Sequence, residues 1–169
     1  LAALDGHTDR EAERTRILLL RHLGELNRSH GEDDEAYAKW EEALAKAIAI
    51  RDDLGISRLH NSMGAVMASV KKQPERAHDH FLKSIEAARR AKDSMVLIDA
   101  LRNLGLLEAD TGSGLAEQYL QESLALAESL GHYAQMSVSL QALGYWEYKR
   151  KRLDKAALRY DEGLHYARR

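Results

Sequence analysis

The sequence contains no cysteine, which excludes disulfide bridges and thiolate metal sites. The same absence fits a reducing compartment, so a cytoplasmic location is predicted. Proline occurs once, and aromatic residues make up 6% of the 169 residues. With few helix-breaking residues and many Ala, Leu, Glu, Lys and Arg, the composition favours helices over strands. The core is therefore expected to consist mainly of Leu, Ile and Ala.

The charge of the chain and its hydrophobic runs argue against two classes of partner, nucleic acids and membranes. The formal net charge is −2, so the chain has no excess of positive charge to attract a nucleic acid. The longest apolar run in the first third is Ile17 to Leu20. No run approaches the roughly 20 residues that span a bilayer. We predict neither a nucleic acid nor a membrane as a partner of this segment.

The chain repeats itself in two separate frames with a period near 40 residues. In the first frame a large apolar residue precedes a glycine, at Gly24, Gly64, Gly105 and Gly144. In the second frame a small residue is followed by a large aliphatic residue, and Ala comes three positions after the aliphatic one. The small residues are Ala43, Ser84, Ser123 and Gly163. Two frames with one period predict repeated pairs of antiparallel helices. Because glycine inside a helix costs about 1 kcal/mol relative to alanine, the four glycines predict close approach of the paired helix.

Turn signals divide the chain into four repeats within one domain. Turns inside the repeats are predicted at residues 30–33, 72–74, 111–114 and 151–154. Joins between repeats are predicted near Leu54-Gly55, Lys92-Asp93 and Leu130-Gly131, where a helix end often takes a left-handed residue. A capping box at Thr8 to Glu11 predicts the start of the first helix. The repeats then span about 9–53, 56–92, 94–130 and 132–169.

These repeats resemble the tetratricopeptide repeat. The motif has a large residue three positions before Leu-Gly, followed later by Ala and, four residues on, an aromatic residue. Repeat one has Leu20, Leu23-Gly24, Ala36 and Trp40 in these places, and repeat two has His60, Met63-Gly64, Ala77 and Phe81. Repeat three has Leu101, Leu104-Gly105, Ala116 and Leu120, and repeat four has Leu140, Leu143-Gly144, Ala156 and Tyr160. The resemblance implies an all-α fold, a right-handed superhelical solenoid of antiparallel helix pairs.

The sequence departs from the family in its period and at one motif position. The usual tyrosine three residues after glycine is replaced by Asn27, Met67, Glu108 and Glu147. The period of about 40 exceeds the roughly 34 residues of the standard repeat. The longer spacing is similar to that of bacterial signalling and transcriptional regulators of this family, and also to the kinesin-light-chain class.

No arrangement of residues in the sequence predicts catalysis, a cofactor or a metal site. The Gly-Ser-Gly segment at 112–114 lacks the lysine of a phosphate-binding loop. His78 and His80 are two residues apart on a helix, so their side chains face different sides and cannot hold one metal ion. We therefore expect a chain that is not an enzyme and that carries no cofactor or metal.

The resemblance implies that the first helix of each repeat lines a concave groove. The residues three positions before each glycine are hydrogen-bond donors, namely Arg21, Asn61, Arg102 and Gln141. The residues one position after it are Glu25, Ala65, Leu106 and Tyr145, and the same face also carries Arg28, Arg58, Asp99, Val138 and Tyr148. One interpretation is a row of donors for carboxylates or carbonyls of an extended peptide, with Leu106, Tyr145 and Tyr148 as an apolar anchor. The alternative is an ordinary solvated helix face. Glu25 occupies a place where a carboxylate clamp would need a donor, so a chaperone tail is not the predicted ligand.

Both ends of the chain bear on the predicted function. The last repeat has no additional polar helix, and residues 1–4 resemble the tail of an earlier helix, so we expect a fragment of a larger protein. A short protein that covers its ends by self-association is the alternative. The turn at 32–35 is acidic and the run at 149–152 is basic, which would suit end-to-end contacts, although a solvated turn is the simpler interpretation of the run. The leading prediction is a scaffold that binds a protein or peptide within a bacterial regulator; the alternatives are a small-ligand sensor and a homo-oligomerisation module.

Overall fold

Eight α-helices and no strand are found in the part of the chain that the structure describes. The computed structural model describes the backbone of residues 2–169 and the side chains from Asp9 onward. The helices are α1 (Ala2–Ser29), α2 (Asp33–Ala49), α3 (Asp53–Ser69), α4 (Pro74–Ala91), α5 (Ser94–Thr111), α6 (Ala116–Ser129), α7 (Tyr133–Lys149) and α8 (Leu153–Ala167). The predicted all-α fold of helix pairs is confirmed.

The turns inside the four pairs lie at 30–32, 70–73, 112–115 and 150–152, each overlapping the predicted turn, but two other boundaries differ. α1 begins at Ala2, so the prediction that the first helix starts at Thr8 is wrong. Gly55 lies inside α3, and the left-handed residue after α2 is Arg51, with φ 53°. The other two predicted joins are correct, since Lys92 and Gly131 have φ values of 55° and 63°. Residues 2–4 are the first residues of α1, so their interpretation as the tail of an earlier helix is also wrong; residue 1 lies outside the described residues.

The helices form two compact units, residues 1–93 with α1 to α4 and residues 94–169 with α5 to α8. In the first unit, Trp40 of α2 is fully buried between Ile17 and Leu20 of α1 and Leu59 and Met63 of α3. Burying side chains of this size supplies most of the stability of such a unit. Neither helix of a pair can bury its apolar stripe alone, so the stripe is shared between neighbours.

The second unit uses the same packing, with Leu120 in the place that Trp40 takes in the first. Leu120 of α6 is fully buried and packs with Leu143 and Trp146 of α7. The Ser123 hydroxyl donates a hydrogen bond to the carbonyl of Ile98 at 3.1 Å and lies 2.9 Å from the hydroxyl of Ser139. These three residues are completely buried, so their polar atoms are paired inside the core, as burial requires.

The prediction of close approach at the four helical glycines is confirmed. A Cβ atom built on Gly64 would lie 2.7 Å from the ring of Phe81 on the paired helix. Gly105 faces Leu120 in the same way, also at 2.7 Å, and Gly144 faces Tyr160 at 2.8 Å. The indole of Trp40 fills the corresponding space over Gly24. Each glycine therefore makes room for the large side chain that follows it on the second helix of the pair.

Candidate functional site

The first unit contains a cleft with a surplus of arginine. It has a volume of about 530 Å³ and an apolar floor that includes Ile17, Leu18 and Leu54. Four arginines line it, and the carboxylates in the lining are those of two aspartates: Arg14, Arg21, Arg51, Arg58, Asp52 and Asp53. Two predicted groove residues, Arg21 and Arg58, are therefore brought together here, in a setting that favours an anionic ligand.

Arg21 is the arginine most affected by this environment. Partial burial, followed by the positive charge of Arg58, lowers the pKa of the Arg21 guanidinium, while the nearby Glu25 raises it. Its side chain lies 2.8 Å from Nε2 of His22, an imidazole rather than a carboxylate. Arg58, by contrast, donates to Asp93 at 3.3 Å. A carboxylate entering the cleft would stabilise the partly desolvated Arg21 charge.

The carboxylates of this cleft already have cationic neighbours. Asp53 accepts a hydrogen bond from Arg90 at 2.9 Å, and Asp52 lies 3.9 Å from the guanidinium of Arg14. Their negative charges therefore compensate only part of the arginine charge in the lining. The cleft keeps a net positive character that a ligand with acidic groups would match.

The remaining predicted residues of the first unit are Glu25, Arg28 and Asn61. Glu25 accepts a hydrogen bond from the hydroxyl of Ser62 at 2.7 Å and another from Arg28 at 3.4 Å. Arg28 is exposed, and Asn61 is half-buried and has an interaction of its own. None of these three lines the arginine cleft, so the predicted row of donors is only partly assembled in this unit.

A second cleft, of about 620 Å³, lies in the second unit and contains five residues of the predicted groove face. Arg102, Leu106, Gln141 and Tyr145 line it, together with Val138. The remainder of its lining is Asp110, Ala142 and Tyr160. Its volume falls in the range of roughly 300–1,000 Å³ that is usual for pockets that hold small ligands or side chains. The predicted apolar anchor is therefore present here in Leu106 and Tyr145.

The polar groups of the second cleft are held in fixed positions. Arg102 pairs with Asp99 at 2.9 Å and donates to Gln135 at 3.1 Å. The Tyr145 hydroxyl donates to Asp110 at 2.6 Å, and that hydrogen bond is the largest of the effects that raise the pKa of Tyr145. Tyr148 is 57% exposed and does not line the cleft, so the third residue of the predicted anchor stands apart.

A cluster that sequence reasoning missed lies between α2, α3 and α4. Nδ1 of His60 lies 2.9 Å from Nδ1 of His80, and Nε2 of His80 lies 3.1 Å from the hydroxyl of Tyr37. Arg76, which can only donate, contacts the same hydroxyl at 3.4 Å. Two orders satisfy these contacts: Tyr37 donates to His80 and His80 Nδ1–H donates to His60, or His60 Nδ1–H donates to His80 and His80 Nε2–H donates to Tyr37. Burial, the charge of His80 and that of Lys83 lower the pKa of His60 to about 4.

The sequence contains weak signals for the residues that were missed. Arg14 precedes Arg21 by seven residues, two helical turns, which places both on one face of α1. Asp110 follows Leu106 by four residues on α5 in the same manner. The contact of His60 with His80 has no such local signal, because the two residues belong to different helices. Among the described residues, no group of three or more His, Cys, Asp or Glu side chains is arranged to hold a metal ion.

Comparisons with known proteins identify a structural neighbour but no family. No protein-family model matches the chain, and no curated protein matches it. A solved structure, BtubC (BKLC) from P. vanneervenii, aligns with a TM-score of 0.77 at 18% identity. The alignment covers 89% of this chain and 63% of BtubC, so the chain spans less than two thirds of that protein. At this identity the likeness shows a shared fold.

Along the described helices, none is both long and apolar enough to cross a membrane.

Proposed function

We propose that this chain is a tetratricopeptide-type scaffold that binds a protein or peptide and belongs to a larger, cytoplasmic, bacterial regulatory protein. The ligand is a segment with acidic side chains, and the arginine cleft of the first unit is its main attachment. In this role the chain is a passive binding surface rather than an enzyme. The repeated glycine and alanine frames support the assignment to this type of repeat, and the fold shared with BtubC is compatible with it.

The observation that carries the proposal is the excess of guanidinium groups in one partly apolar cleft. The lining contains Arg14, Arg21, Arg51 and Arg58. Burial first, and then the charge of Arg58, lower the pKa of Arg21. Like charges gathered in this way cost free energy unless an anion joins them. Arginine also binds carboxylates with two parallel hydrogen bonds, which gives direction as well as charge.

The proposal is tested with a fluorescein-labelled peptide of alternating Glu and Leu residues, followed by fluorescence anisotropy. We expect Arg21→Gln to weaken binding about tenfold, since a hydrogen bond to a charged group contributes about 1.5–3 kcal/mol. Arg16→Gln is the matched control, because Arg16 is exposed on the same helix and pairs with Glu13 outside the cleft. A peptide with Lys in place of Glu should not bind.

Two results would contradict the proposal. The first is an Arg16→Gln variant that loses as much affinity as Arg21→Gln, which would show that general charge rather than the cleft attracts the peptide. The second is equal binding of the Glu and Lys peptides. Circular dichroism of each variant shows whether the helices remain intact.

A further inference from the structure

A stripe of leucines on α1 is exposed although its counterparts in other helices are buried. Leu19, Leu23 and Leu26 are 58%, 47% and 51% exposed. Their spacing of four and three residues places them on one side of the helix. Exposed leucines that occur singly are normal, whereas an aligned set is typical of a contact surface.

The repeat relates this stripe to residues whose packing is known. In α3 the equivalent residues are Leu59, Met63 and Val66, which are 0%, 2% and 1% exposed. They belong to the core that includes Trp40 and Ala43 of the preceding helix, α2. The α1 stripe is therefore the surface with which the first helix of a pair packs on the second helix of the pair before it.

We call this packing of a first helix on the second helix of the preceding pair the joint. The second unit contains the same joint. Leu143 and Trp146 of α7, which match Leu23 and Leu26, pack with Leu120 of the preceding helix α6. Ser139, which matches Leu19, lies within hydrogen-bond distance of Ser123 of α6. The joint thus occurs once in each unit, with a second helix as the receiving surface both times.

The receiving surface of such a joint is repeated on α8. The residues of α6 in question are Ala116, Leu120, Ser123, Leu124 and Ala127, and those of α8 at a spacing of 40 are Ala156, Tyr160, Gly163, Leu164 and Ala167. Leu124 packs against the clusters that contain Leu143 and Met136, whereas its counterpart Leu164 is 54% exposed. α1 and α8 therefore carry the two matching halves of a joint that the chain itself forms elsewhere.

The charges beside these two surfaces are complementary. Lys71, just after α3, forms an ion pair with Asp34 at the start of α2, so the turns of successive pairs lie next to each other. If α1 of one copy packed on α8 of another, its acidic turn at 32–35 would lie beside the basic turn at 149–152. Glu32 and Glu35 on one side, and Arg150 and Lys151 on the other, are all exposed. Opposite charges at the rim of an interface favour the correct register and faster association.

From these observations we infer that the chain associates head to tail with a second copy of itself, with α1 of one copy packed on α8 of the next. The surfaces on the two copies differ, so the contact is heterologous and can add further copies. This self-association is additional to the proposed peptide binding, because the leucines of the joint do not line the arginine cleft.

The test uses one variant for each half of the joint. Leu23→Asp damages the α1 surface, and Leu164→Asp damages the α8 surface; both replace exposed side chains, so both variants should fold. Sedimentation velocity of the parent chain should give a mass that rises above the 19.0 kDa monomer with concentration. Each variant alone should remain a monomer. A mixture of the two should form a one-to-one dimer and nothing larger, because only one intact joint can form in it.

The control variant is Leu158→Asp, which replaces another exposed leucine of α8. Its counterparts Ala38 and Gln118 are exposed and lie outside the joint, so this variant should associate like the parent. Added salt should weaken association of the parent because the rim charges are solvent-exposed. A parent chain that is monomeric at every concentration overturns the inference. So does a mixture of Leu23→Asp and Leu164→Asp that stays monomeric while the parent associates, since that outcome indicates a symmetric contact.

Discussion

Acidification should destabilise the first unit through His60. The side chain is 7% exposed, and its pKa is lowered to about 4 in the folded protein. In the unfolded chain a histidine has a pKa of about 6.5. Between these two values the unfolded chain binds more protons than the folded one, so stability is complete above the unfolded pKa and falls as the pH falls toward 4. Between pH 7 and pH 5 the expected loss in free energy of unfolding is about 2 kcal/mol.

The surroundings of His60 explain the direction of this effect. Burial is the main cause, and the positive charges of Lys83 and of a protonated His80 oppose a further proton. Burial also lowers the pKa of His80, with Lys83 and Arg76 acting in the same direction and Asp79 against it. The other charged or titratable groups that line this side of the unit are Tyr37 and Glu41 of α2. No carboxylate accepts a hydrogen bond from either ring in the network described above, so neither cation would be paired.

Urea unfolding, followed by far-ultraviolet circular dichroism at several pH values, measures this loss. His60→Gln removes the titrating group and keeps both a donor and an acceptor beside His80, so its stability should depend less on pH than that of the parent. A nuclear magnetic resonance titration of His60 gives its pKa directly. The reasoning is refuted if His60 titrates near its ordinary value, or if the parent and His60→Gln lose the same stability between pH 7 and pH 5.

Two substitutions test the packing. Gly64→Ala should lower the free energy of unfolding by about 1 kcal/mol despite the better helix propensity of alanine, because its Cβ meets the buried ring of Phe81. Gly114→Ala is the control, since no atom lies within 4 Å of its added Cβ, and equal effects of the two would contradict the close approach. Ser123→Ala should cost about 1–3 kcal/mol, because it leaves the buried hydroxyl of Ser139 without this partner. Thermal unfolding measures each change, and an unaltered melting temperature would show that the hydroxyl pair contributes nothing.

The repeat made much of the fold predictable from the sequence. Every pair has a glycine on its first helix and a large side chain at a nearly constant distance along the chain, as in Gly64 and Phe81. The contact between the two could therefore be expected from the repeat. The position of the left-handed residue after α2 could not be predicted from the sequence. Gly55 looked suitable, but the chain turns at Arg51, because the helix already ends at Ala49. A glycine indicates where a left-handed conformation is easy, not where the chain needs one.

The candidate site was less predictable, since it depends on side chains from several helices. Sequence spacing placed Arg21 and Arg58 on equivalent faces, and the structure brings both into one cleft. It did not indicate Arg51, which reaches the cleft from the turn between α2 and α3. The contact between His60 and His80 depends on how α3 packs on α4, a tertiary arrangement that periodicity along one helix does not encode.

The pairing of each glycine with a large side chain has a consequence for insertions. Trp40, Phe81 and Leu120 follow their glycines after 16, 17 and 15 residues, yet all three fill the same space. The segments that join the paired helices, at 30–32, 70–73 and 112–115, together with the adjoining helix ends, therefore vary without disturbing the contact that holds the helices together. Turns of this kind are where a chain accepts added segments at little thermodynamic cost. New binding loops could be grafted at residues 30–32 or 112–115 while the paired helices keep their spacing.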